Sequence, residues 1–138
     1  MTVGDMLTRG ARKFPQKPAV ICGDNRFSYR EFNQRVNQVS QALLARGLRK
    51  GDRLGVLTEN CHQFLDLYFV AAKTGAILCP FNNILTERET EDLVSYAAPR
   101  YLFFSQANAD KVQAIAPRLS GVEGLFCFQA SAWEGAES

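Results

Sequence analysis

Apolar and polar positions along this chain fall into short runs and helix-spaced stripes, with Gly, Pro and Asn at the joints. In mid-chain, Gly51-Asp52 is turn chemistry and Arg53–Leu57 a short apolar run. A helix-like apolar segment follows, then Gly75-Ala76-Ile77-Leu78-Cys79-Pro80-Phe81-Asn82. Asn60 stands where a helix N-cap belongs, since its side-chain oxygen can accept from a free amide of the first turn. Gly75 suits a helix C-terminus because it takes positive φ at little cost. Pro80 removes a backbone donor and so should stop the second strand. The pattern predicts strand, helix, strand with parallel pairing.

The same reading extends both ways. Thr2 or Asp5 can start a helix bearing Val3, Met6, Leu7, Ala11 and Phe14 at helical spacing, ended near Lys17-Pro18. Ala19–Cys22 is a strand, Gly23-Asp24-Asn25 a hairpin turn and Arg26–Ser28 the return strand. Ser28 and Glu31 form a capping box, each satisfying an orphan amide of the first turn. The helix behind it runs to about Arg46 with Phe32, Val36, Val39, Leu43 and Leu44 on one stripe, and Gly47 supplies the left-handed cap. Thr86 and Glu89 repeat the box ahead of a helix through Leu93 and Tyr96, which Pro99 breaks. Tyr101–Phe104, a helix over about Ala109–Leu119 stopped by Gly121, and Leu125–Phe128 complete the pattern.

The fold class is α/β: a parallel doubly wound sheet with strands near 53–57, 76–79, 101–104 and 125–128, preceded by a helix, a β-hairpin and a long helix. Residues 1–50, the parallel unit 51–129 and a frayed tail 130–138 are expected to form one truncated domain. Trp133 is odd in such a tail and suggests a contact with a missing part.

The sequence of 138 residues is long enough for a real core, and its net charge of +2 with scattered Lys and Arg gives no ground for nucleic-acid binding. Cysteines 22, 61, 79 and 127 lack CxxC spacing, and three fall in strand-like runs, so they read as core thiols of a reducing, cytoplasmic protein. No signal-peptide pattern is present, and the most apolar stretch, Phe64 to Phe81, is broken by Asp66, Lys73 and Gly75, so no transmembrane segment is expected.

Few residues suggest chemistry. His62, the only histidine, follows the Asn60 cap and reads as a surface side chain whose cation the helix N-terminus disfavours. Glu59-Asn60 reads as a turn and a cap rather than a catalytic acid pair. Asn82 and Asn83 lie just past the carboxyl end of a parallel strand, where open α/β sheets place ligands, and are the candidate cofactor-binding residues. Plain turn chemistry explains them as well. No catalytic or metal-binding residue is assigned.

Three motifs in order carry a family resemblance. Phe27-Ser28-Tyr29-Arg30-Glu31-Phe32 resembles an aromatic/Ser-Tyr-x-Glu core motif. Gly51-Asp52-Arg53-Leu54-Gly55-Val56-Leu57-Thr58-Glu59-Asn60 resembles a Gly-Asp-Arg-Val strand. Ala72–Asn82 with Thr86-Glu87-Arg88-Glu89 is similar to a second core motif and its helix start. All three resemble the acyl-CoA synthetase, adenylation-domain and luciferase superfamily, most closely its fatty-acid and aryl-acid CoA ligases, from Val3 to about Phe128.

The resemblance implies activation of a carboxylic acid by ATP with Mg2+, giving an acyl-adenylate that coenzyme A converts to a thioester. It also implies that the phosphate loop, the adenine and ribose motifs and the catalytic lysine of such enzymes lie beyond these residues. Gly121 and Gly124 have no Lys or Ser/Thr cluster that would make a substitute cradle. The chain is therefore expected to be an inactive N-terminal fragment of an AMP-forming acid–CoA ligase, partnered by the remainder in cis or trans. An exposed apolar sheet would favour homodimers or aggregation. The alternative is a stand-alone interaction or ligand-binding module on the same scaffold, paired with a separate chain.

Overall fold

Thr2 starts the first helix: its hydroxyl accepts from the Asp5 amide at 3.3 Å, and the Asp5 carboxylate accepts from the Thr2 amide at 2.8 Å. The computed structural model describes residues 1–129 and 132–137, with residues 129 and 132–137 described by backbone alone. Backbone packing divides the chain into two compact units, Met1–Gly51 with Cys61–Ile77, and Asp52–Asn60 with Leu78–Ser138. Residues 61–77 thus group with the N-terminal elements rather than with the strands that flank them in sequence.

The first unit holds α1 (Val3–Lys13), the antiparallel hairpin β1 (Pro18–Cys22) and β2 (Asn25–Ser28), α2 (Tyr29–Ala45) and α3 (His62–Thr74). The Ser28–Glu31 capping box forms as the sequence predicts. At the other end of α2 the Leu48 amide reaches the Leu43 carbonyl and the Gly47 amide the Leu44 carbonyl, both at 3.0 Å. That double bond pattern requires a left-handed residue, and Gly47 supplies it at φ 100. Leu7, Phe32, Val36, Leu43, Leu67 and Val70 are buried between the helices, with Phe32 and Phe69 edge to face at 5.5 Å. Gly4 lets α1 approach α3: a Cβ there would lie 3.1 Å from the Ala72 carbonyl oxygen. Val3, Met6, Phe14 and Leu44 stay exposed, so the predicted apolar stripes of α1 and α2 are wider than the faces they bury.

Asn60 is not the cap of α3. Cys61 takes the extended N-cap backbone and offers no side-chain hydrogen bond, so the helix starts one residue later than the asparagine predicts. Gly75 closes α3 as expected, at φ 79.

The second unit is built on a sheet. Its elements are β3 (Arg53–Leu57), β4 (Ile77–Phe81, of which Ile77 falls in the first unit), α4 (Glu87–Ala97), β5 (Tyr101–Ser105), α5 (Ala109–Ile115), β6 (Gly124–Gln129) and β7 (Ala132–Glu137). Single 3-10 turns flank α5. The strand order is β4-β3-β5-β6-β7. The first four make the parallel sheet expected from the sequence, with Leu54 opposite Tyr101 and Tyr101 opposite Gly124. Connections run outward in opposite directions from β3 and β5, which sets a switch point between those two strands. Every residue of β5 is buried, as are Leu54–Leu57, matching their unbroken apolar runs. Leu57, Val94, Leu102, Phe104, Val112 and Ile115 form the core on the side of α4 and α5.

Two further expectations are corrected here. Pro80 does not stop β4, which continues to Phe81; β4 is an edge strand, where a missing amide costs little. The tail expected to fray contributes β7, antiparallel to β6, because the β6 edge otherwise offers unpaired backbone groups. Residues 130, 131 and 138 of that tail, and the Trp133 side chain, lie outside what is described.

Candidate functional site

Several polar side chains of the second unit lie just past the carboxyl ends of its parallel strands. Beyond β4, the Asn82 side chain accepts from the Ile84 amide at 3.1 Å, and its carbonyl accepts from the Leu85 amide at 3.4 Å. This side-chain-to-backbone turn is what asparagine favours after a strand. Lys111, on α5, reaches across: its ammonium donates to the carbonyl oxygens of Asn83 at 2.8 Å and Leu85 at 2.6 Å. The loop that the sequence singles out is thus fixed by a turn of its own and by a lysine from another element. Asn82 is exposed and Asn83 half-buried.

At the switch point itself stands a cluster that sequence reasoning missed. Ser105, the last residue of β5, donates to Glu59 Oε2 at 2.8 Å. Asn108 donates through Nδ2 to the Ser105 hydroxyl at 2.8 Å and to the same Glu59 oxygen at 3.3 Å. Ser105 and Asn108 are buried, whereas Glu59 is exposed. Each is among the first polar residues after an apolar strand run, which is the one signal that could have marked them. Glu59 and Asn60 do not act as an acid pair: Glu59 is committed to this cluster. The arrangement can accept and orient a hydrogen bond. It has no activated nucleophile.

Beside the cluster, Phe104, Ala109, Val112, Ala116, Leu125 and Cys127 line an open, mainly apolar groove of about 560 Å³. The Cys127 thiol points to Gln106 Oε1 at 3.4 Å, and burial raises its pKa, which disfavours the reactive thiolate. All four cysteines are free thiols.

His62 belongs to the first unit and is buried, not a surface side chain. Its ring lies 5.2 Å from that of Phe27, over which the Arg35 guanidinium also sits at 4.6 Å. Arg35 donates to Asp66 at 2.7 Å. Desolvation first, and Arg35 second, hold the His62 pKa down, while Asp66 opposes them. It is a packed, neutral imidazole.

Among the described residues no group of His, Cys, Asp and Glu could hold a metal ion. Gly124 is a packing glycine rather than part of a phosphate cradle, since a Cβ there would meet Phe126 at 2.9 Å and Tyr101 at 3.0 Å.

The comparison with known families decides what this scaffold is. A family model described as AMP-binding enzyme matches residues 7–136. The chain belongs to the AMP-binding enzyme family. Among relatives of that family, it is similar to the acyl-CoA ligase SID4 of Ajellomyces capsulatus, 33% identical over 105 residues, which are 75% of this chain and 18% of the relative. It is similar to the inhibitor-bound N-terminal domain of FACL13 from Mycobacterium tuberculosis, with a TM-score of 0.86 at 27% identity, covering 92% of this chain and 33% of that one. It is also similar to the anthranilate CoA ligase AuaEII in complex with anthranoyl-AMP, with a TM-score of 0.87 at 25% identity, covering 100% of this chain and 29% of that one. The AMP-binding scaffold seen here therefore matches the N-terminal part of acyl-CoA ligases and spans 18% of the length of the curated relative.

No helix among the described residues is long and apolar enough to cross a membrane.

Proposed function

We propose that this chain supplies the N-terminal scaffold of an ATP-dependent, AMP-forming acid–CoA ligase. The carrying observation is the match of residues 7–136 to the AMP-binding family on a sheet whose carboxyl edge is ordered by its own side chains. In the complete ligase a fatty or aryl carboxylate attacks the α-phosphate of ATP with Mg2+ present, releasing pyrophosphate, and coenzyme A then takes the acyl group and releases AMP. No chemical step is assigned to the residues described here. Their part is to bind and position: the turn at Asn82 and Asn83, pinned by Lys111, faces the ligand side and contacts coenzyme A. The open apolar groove on α5 and β6 supports burial by the remainder of the ligase, in cis or in trans, rather than by solvent. Free thiols throughout suit a cytoplasmic location.

Pyrophosphate release by the complete ligase, measured across fatty and aryl acids, tests the activity; silence with every acid rejects it. Asn82→Ala with Asn83→Ala should raise KM for coenzyme A, and an unchanged KM removes the loop from the site. The 138-residue chain alone should form no acyl-adenylate, and formation would show that it is more than a scaffold.

A further inference from the structure

The net charge of +2 conceals a strong segregation. Met1–Gly51 with Cys61–Ile77 carries eleven Lys and Arg against four Asp and Glu, a net of +7. Asp52–Asn60 with Leu78–Ser138 carries five against ten, a net of −5. The Lys and Arg that read as scattered along the sequence therefore concentrate on one unit, and chiefly on its residues 1–51, since α3 adds only Lys73 and Asp66, which cancel.

That unit's acids are mostly engaged. Asp5 and Glu31 cap α1 and α2, and Asp66 is buried against Arg35, which leaves Asp24 in the hairpin turn. Nine of its eleven cations are exposed, Arg35 and Lys73 being half-buried. Gly4 and Leu7 turn α1 inward, while Met6, Arg9 and Lys13 recur at helical spacing on the exposed side, with Arg12 adjoining. Lys17 follows, its ammonium 4.5 Å from the centre of the Phe14 ring. Apolar side chains are exposed on the same element and just beyond its two ends: Val3 at 44%, Met6 at 58%, Phe14 at 47%, and Met1 at 86%, whose sulfur accepts from Arg9 Nη1 at 3.0 Å.

Basic and apolar side chains exposed together on one amphipathic helix have a specific physical use. Phosphates alone would attract the arginines but gain nothing from methionine and phenylalanine. An anionic bilayer offers both a negative surface and an apolar layer within reach of short side chains. We propose that α1, with Arg9, Arg12 and Lys13 toward the headgroups and Val3 and Met6 toward the acyl boundary, docks this protein peripherally on an anionic membrane surface. The contact is interfacial and reversible. It does not rest on the ligase reading.

Sedimentation of the full chain with phosphatidylcholine vesicles, with and without phosphatidylglycerol, tests this. The chain should partition onto the anionic vesicles only, and less as salt rises. Arg9→Gln with Arg12→Gln and Lys13→Gln should weaken partitioning on the order of a hundredfold. Met6→Ser should weaken it about threefold or more, which a purely electrostatic contact would not show. The salt titration reads the same charges on the unaltered chain, so the answer does not depend on a variant folding. Equal partitioning onto neutral and anionic vesicles, or undiminished binding by the triple variant, overturns the proposal. So does retention on duplex DNA without vesicle binding, which would make the partner a nucleic acid.

Discussion

The ammonium of Lys111 lies 2.8 Å from the carbonyl oxygen of Asn83 and 2.6 Å from that of Leu85, tying α5 to the loop after β4. Both acceptors are backbone groups, so the loop's course is fixed whatever side chains it carries. A charged donor strengthens each bond, and partial exposure lets water replace part of it. Lys111→Met keeps the aliphatic stem and removes only the donor. It should cost about 1–2 kcal/mol in urea unfolding and speed amide exchange over residues 82–86. Unchanged exchange there would mean that the Asn82 turn holds the loop unaided.

The Arg35–Asp66 pair joins α2 to α3 at 2.7 Å, with the Asp66 side chain 1% exposed and that of Arg35 22%. Removing one member strands the other in a poor solvent for charge. Arg35→Met should destabilise by about 3 kcal/mol, near the lower end for a buried pair because the guanidinium keeps some water. Asp66→Leu on that background should restore part of the loss. A double variant as unstable as the sum of the two singles would show that the pair does not couple.

How far the sequence announces all this depends on the range of the cause. The boxes Ser28–Glu31 and Thr86–Glu89 and the Gly75 cap are local chemistry within a few residues, and they form where the spacing places them. The four parallel strands follow from apolar run length and turn residues. Asn60 misleads because two neighbours compete for one cap, and backbone extension at Cys61 decides it. Pro80 misleads because its cost depends on edge position, which only the strand order reveals. The contact of His62 with Phe27 joins distant residues, and the Glu59–Ser105–Asn108 cluster draws on the ends of two strands, so short-range signals carry neither. The charge segregation, by contrast, is already present along the chain, since residues 1–51 alone carry ten Lys and Arg against three Asp and Glu.

Gly55, in the middle of β3, is hemmed in on three sides. A Cβ there would sit 2.9 Å from Leu102 Cδ1, 2.9 Å from Phe81 Cε2 and 3.0 Å from Pro99 Cγ. These atoms belong to packed core neighbours rather than to the free ends of flexible surface chains. Gly55→Ala should therefore cost about 1–3 kcal/mol by overpacking. Gly23→Ala meets nothing within 4 Å but must adopt φ +58, so about 1 kcal/mol of backbone strain is expected. If chemical denaturation ranks the two the other way, the packing account of Gly55 fails.

Protonation gives a test that needs only one substitution. The His62 pKa is held below its ordinary value of 6.5, so the folded chain binds that proton less readily than the unfolded one. Stability should accordingly be full above about pH 6.5, fall as pH drops toward the depressed folded value, and level off below it. Arg35 on α2, Asp66 on α3 and the Phe27 ring of the hairpin are the groups facing the imidazole, and Asp66 limits the fall by favouring the cation. The capping carboxylates Glu89 and Asp5 titrate below their ordinary 4.5 and 3.8, each held down first by its backbone hydrogen bond, so their contribution fades only at more acidic pH. The two windows separate in thermal melts recorded from pH 8 to pH 3, about the span of these titrations. His62→Gln should flatten the upper window and leave the lower one intact. An upper window that survives the substitution would assign it to some other group and leave His62 a mere packing residue.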